Sequence, residues 1–98
     1  MKIMISQPMR GLTEEQIRKN REEAIKRIEA AGDTVVDTIV AHTPPEGNDQ
    51  ALWYLGESLK MMSGCDGVYF LRGWDNARGC LIEHAAALAY GLWIKEEN

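Results

Sequence analysis

Short runs of consecutive apolar residues alternate along the chain with longer stretches in which apolar residues recur every three or four positions. Residues 2–6 (Lys-Ile-Met-Ile-Ser) are such a run and predict a buried first strand. Gln7 to Leu12, with Pro8 and Gly11, predicts a loop. Thr13 can cap a helix, and Gln16 three positions on completes a capping box. Ile17, Ala24, Ile25, Ile28 and Ala31 then share one helical face, and Gly32 stops the helix. Thr34 to Val40 is rich in β-branched residues and predicts the second strand. His42 to Asn48 carries Pro44, Pro45 and Gly47 and predicts a loop. A second helix is expected from about Asp49 to Ser63, with Leu52, Leu55, Leu59 and Met62 as its inner stripe. Gly67 to Leu71 reads as the third strand and Arg72 to Arg78 as a polar loop. A third helix follows from about Asn76 to Tyr90, closed by Gly91, and Leu92 to Ile94 is a short fourth strand.

The order β-α-β-α-β-α-β predicts an α/β fold, a parallel sheet with helices on both faces. The flavodoxin-like, Rossmann-like arrangement gives the strand order 2-1-3-4 in one domain spanning residues 1–98. The connections then change sides of the sheet between the first and third strands. Ligands of open α/β sheets bind at such a switch point, outside the carboxyl ends of the strands. Topology alone therefore places a site between Ser6–Leu12 and Arg72–Gly79.

Composition narrows the partners. A chain of 98 residues, 45% hydrophobic and 27% charged, is an ordinary globular domain, neither disordered nor fibrous. The net charge of −4 argues against a nucleic-acid polymer as partner. The basic residues concentrated in 18–27 are interleaved with Glu22, Glu23 and Glu29, as on a solvated helix face. Cys65 and Cys80 lack metal-ligand spacing and are expected to be reduced thiols. The N-terminal apolar run is too short for a signal peptide and no stretch approaches a membrane span, so a cytosolic protein without a membrane partner is expected.

The third helix carries an anomaly. Glu83 has Gly79, Cys80, Ala86, Ala87 and Tyr90 as helical neighbours, a small and apolar face. A carboxylate there is costly unless it is paired or functional. Desolvation would raise its pKa, as at many catalytic acids. The alternative is an ion pair with Arg10 or Arg78 that anchors a loop. His84 points elsewhere and reads as a packing residue. Leu81, Ala85 and Leu88 leave this helix with no polar face, which predicts a homodimer or larger homo-oligomer packed through it. In the first loop, Ser6, Gln7, Met9, Arg10 and Gly11 offer a hydroxyl, an amide, a guanidinium and backbone N–H groups. In the second, Trp74, Asp75 and Asn76 set an aromatic face beside a carboxylate and an amide. Asn76 reads equally well as a helix N-cap.

With these motifs the chain resembles the nucleoside 2-deoxyribosyltransferase-like proteins, including the related deoxyribonucleoside 5′-monophosphate N-glycosidases. The similarity runs from Lys2 to Ile94. It rests on the loop ending Met9-Arg10-Gly11, on the second helix running into Cys65-Asp66-Gly67-Val68, and on Gly79-x-x-x-Glu83 followed by Ala85-Ala86 and Gly91. The resemblance implies that Glu83 attacks the anomeric carbon of a deoxyribose and displaces the base. Water or a second base then resolves the glycosyl-enzyme, with no metal or organic cofactor. It implies a nucleoside or nucleotide as the small-molecule partner, bound by Ser6, Gln7, Met9, Arg10, Gly11, Trp74, Asn76, Arg78 and Gly79. Ser58, with Glu57 beside it, aligns with the family's helical aspartate. Ala77, flanked by Arg78, aligns with its phosphate-binding serine. Asp75 is left as the candidate second acid or sugar contact. Three readings follow: an N-glycosidic-bond enzyme, a non-catalytic module that binds a nucleotide to sense or sequester it, or a purely structural dimer whose partner is another protein.

Overall fold

The computed structural model describes residues 1–36 and 43–98. Strand β1 (Lys2–Ser6) leads to α1 (Glu14–Ala30), β2 (Thr34–Val35), α2 (Gln50–Met62), β3 (Gly67–Phe70), α3 (Arg78–Ala89) and β4 (Trp93–Glu96). All strand pairs are parallel, and the sheet order is β2-β1-β3-β4, as the sequence predicts.

Alternation along β1 and β3 divides the core between two faces. Ile3, Ile5, Tyr69 and Leu71 turn toward Ala24 and Ile28 of α1. Met4, Val68 and Phe70 turn the other way, toward Met62 of α2 and Ala87 of α3. Covering both faces explains why the two central strands are apolar throughout.

Local chemistry fixes the ends of α1. Thr13 Oγ1 accepts from Gln16 N–H at 3.1 Å, and Gln16 Oε1 accepts from Thr13 N–H at 2.9 Å. Beyond the helix, Gly32 takes φ +86°, a conformation that glycine adopts without steric cost. Asp49 caps α2 by accepting from Leu52 N–H at 2.9 Å. At the amino ends of the central strands, Asp66 accepts from Lys2 N–H at 2.7 Å and so ties the entry of β3 to β1. Gly67 has no room for a Cβ, which would lie 2.8 Å from both the ring and the carbonyl of Trp93.

Several elements differ from expectation. The described part of the second strand is Thr34–Val35 only; Val36 is not in a strand, and the rest of the span expected to Val40, with His42 of the next loop, lies outside the described residues. Leu52 is 66% exposed rather than inward. A crossover helix runs antiparallel to the strands, so the first turn of α2 stands beyond their carboxyl ends with no sheet beneath it. Ala31 is exposed at the helix C-cap. β4 begins one residue later than expected and runs to Glu96. Asn76 does not cap α3: Gly73, at φ +90°, starts a 3₁₀ turn over Trp74–Asn76, and Ala77 occupies the cap position with no side-chain bond.

The outer side of α3 is apolar and exposed, with Leu81 45%, Leu88 67% and the following Tyr90 86% accessible. Among the described residues no helix is long and apolar enough to cross a membrane.

Candidate functional site

β1 ends at Ser6, and β3 ends beside it at Phe70. The two helices that leave these strands cover opposite faces, so the loops part there. A cavity of about 280 Å³ opens on the β1 side of this rim. It is lined by Ser6, Gln7 and Met9 from the first loop, Ile17 and Arg21 from α1, Ser58 from α2 and Glu83 from α3, with Met4 and Ile5 as its floor.

Glu83 stands in the second turn of α3 and is partly buried. Among the described residues it forms no ion pair and accepts no hydrogen bond. Burial pushes its carboxyl up to about 7, with the nearby Ser6 hydroxyl opposing the shift. The loop-anchoring alternative, a pair with Arg10 or Arg78, is not formed; both arginines are exposed.

Ser6 is 1% exposed, and its Oγ has no hydrogen-bond partner of good geometry. Its neighbours are Glu83 and the buried Cys80 thiol, which burial shifts upward and the same hydroxyl draws back. A buried hydroxyl without a fixed partner is uncommon in a folded protein, and this one sits beside the unpaired acid.

The expected site residues do not all meet. Ser6, Gln7, Met9, Ser58 and Glu83 meet in the cavity. Gln7 also spans to α1, its amide donating to the Ile17 carbonyl at 2.6 Å, which holds the loop against the helix. Arg10, Gly11, Asp75, Asn76 and Arg78 are exposed and outside the lining. Trp74 has one ring face stacked on His84, with centroids 4.2 Å apart and planes 16° apart. His84 is thus a packing residue, set also against Phe70 and paired with Glu96. Gly79 has open space where a Cβ would lie and needs no special backbone conformation. Glu57 turns away from the cavity to pair with Lys60 at 3.0 Å.

Arg21 was not among the expected site residues. The signal was present: it continues the inward stripe Ile17, Ala24, Ile28 at helical spacing, where a charge is as anomalous as Glu83 is on α3.

A larger depression of about 690 Å³ lies between α1 and the carboxyl ends of β3 and β4. Glu97 lies in its wall with its oxygens occupied: Arg27 at 2.6 Å, the Tyr69 hydroxyl at 3.0 Å and the Arg72 N–H at 3.0 Å. A carboxylate so saturated reads as a structural clasp.

The domain of unknown function DUF4406 matches residues 1–96. The chain belongs to the DUF4406 family. Searches of curated proteins and of solved structures return no match. DUF4406 as a family name carries no activity.

Proposed function

We propose that the protein cleaves the N-glycosidic bond of a deoxyribonucleoside or its 5′-phosphate, or transfers the deoxyribosyl group, with Glu83 as the nucleophile. The observation that carries this reading is an unpaired, partly buried carboxylate facing a cavity at the switch point of a parallel sheet. The resemblance of Gly79-x-x-x-Glu83 to the deoxyribosyltransferase motif supports the choice of bond.

In this reading a carboxylate oxygen of Glu83 bonds to the anomeric carbon as the bond to the base nitrogen breaks, and the departing base keeps the electron pair and gains a proton. Among the described residues no second carboxylic acid lines the cavity, so solvent supplies that proton. Water then attacks the same carbon, releasing free sugar and the carboxylate; a second base attacking instead completes a transfer. Ser6 sits where its hydroxyl can orient the carboxylate, and Met9 and Ile17 add apolar walls.

Free base released from deoxynucleosides or their monophosphates, and lost in Glu83→Gln, supports the enzyme. Ser58 in the cavity wall favours a second reading, a binding module, because a hydroxyl is a poor general acid. Thermal stabilisation by the same compounds without base release would establish the binder instead.

We also propose that a second copy of the chain covers α3. The stripe Leu81, Ala85 and Leu88 carries no charge, so the same stripe on two copies meets about a twofold axis without repulsion. Light scattering is expected to show a dimer that Leu88→Lys converts to monomer; a monomeric parent protein would refute it.

A further inference from the structure

We infer that Arg21 sets the substrate specificity of the cavity by holding an anionic group, a phosphate monoester on the sugar, at the end away from Glu83. This rests on the reading of Glu83 as the group that meets the sugar.

Arg21 lies on the inward stripe of α1, four residues after Ile17 and three before the fully buried Ala24, and is partly buried. A guanidinium is always charged and presents a fork of donors suited to phosphate oxygens. Burying one without a partner is costly. The neighbouring arginines of α1 have partners: Arg18 pairs with Glu22 at 2.8 Å, and Arg27 with Glu97 at 2.6 Å. Arg21 has none among the described residues. Its helical neighbours at three and four residues are Ile17, Arg18, Ala24 and Ile25, none of them acidic.

Arg21 also leaves Glu83 alone. A cation in contact with that carboxylate would draw its pKa down, yet burial dominates and only Ser6 opposes it. Guanidinium and carboxylate therefore serve different parts of whatever fills the space between them. One part bears negative charge, and the other presents an electrophilic carbon to Glu83. The volume of about 280 Å³ falls just below the range of about 300–1,000 Å³ usual for ligand sites, and suits a sugar phosphate with its base outside. Arg10 and Arg78, the cations of the two rim loops, are exposed and do not line this space.

Two measurements test Arg21. The first is the ratio of kcat/KM for a deoxynucleoside 5′-monophosphate to that for the matching nucleoside, in the parent protein, Arg21→Gln and Arg21→Lys. The ratio is expected to fall about 10–100-fold in Arg21→Gln, mainly through KM for the monophosphate. Arg21→Lys should keep part of it, since the charge remains and the fork is lost. The second is calorimetric binding of 2-deoxyribose 5-phosphate and of 2-deoxyribose to Glu83→Gln protein, with and without Arg21→Gln. Binding of the phosphate alone, lost with Arg21, is expected, and it would uphold the inference even if no base is ever released. An unchanged ratio with Glu83-dependent base release would overturn the inference and leave the enzyme reading intact. Equal binding of both sugars, or of neither, would overturn it as well.

Discussion

Glu97 and Glu83 both stand at the rim formed by the carboxyl ends of the strands, Glu97 just past β4 and Glu83 in the second turn of α3. Glu97 is met by a guanidinium, a phenol and a backbone N–H. Glu83 has the Ser6 hydroxyl nearby and, among the described residues, no ion pair. The first arrangement ties the end of β4 to α1 and β3. The second holds a half-buried acid without such partners, so its ionisation costs the fold stability. The donors around a carboxylate, rather than its depth, separate clasp from site here.

The largest test of that contrast is on turnover. Glu83→Gln is expected to lower base release at least about 10³-fold, as for loss of a nucleophile, without lowering the melting temperature at pH 8. A destabilised protein would place Glu83 with the clasps. Next in size is pH. The folded chain holds the Glu83 proton up to about pH 7, whereas the unfolded chain releases it near 4.5. Between those values the folded state binds more protons, so stability falls as pH rises through the window, by about 3 kcal/mol in all. Denaturant midpoints measured from pH 4.5 to 8 should show this loss in the parent protein, and Glu83→Gln should flatten it. Because attack needs the carboxylate, kcat/KM should rise through the same window; a fall would make Glu83 a proton donor instead. The smallest effect is at the clasp. Glu97→Ala should cost about 1 kcal/mol, or about 4–8 °C in Tm, while base release persists. Loss of turnover on a folded Glu97→Ala protein would join the two carboxylates in one site.

Where local chemistry decides, the chain was legible. Thr13 with Gln16, Gly32 and Asp49 mark helix ends by hydrogen bonds that form within a few residues, and alternation of elements implies the strand order. Position relative to the sheet was harder to read. Leu52 fits the apolar period of α2 yet lies past the strands, and Asn76 has a capping side chain but is drawn into the 3₁₀ turn that Gly73 starts. Glu83 stood out because its whole helical face is apolar. Arg21 was hidden by the charged residues beside it, although Arg18 has an acid four residues on and Arg21 has none. Glu97 gave no signal, since its partners lie on α1, on β3 and in the turn after β3, which only the fold brings to it. Asp66, within a motif of the family resemblance, ties β1 to β3 at the amino ends of the strands, away from the cavity at their carboxyl ends.

The most direct test of Glu83 as a desolvated, unpartnered acid is its own titration, followed by carbon-detected NMR of the side-chain carboxyl, with Glu83→Gln to assign the signal. A midpoint near 7 is expected. A midpoint near 4.5, alongside the surface carboxylates, would mean that water or a donor reaches this acid, and would contradict the site proposed around it.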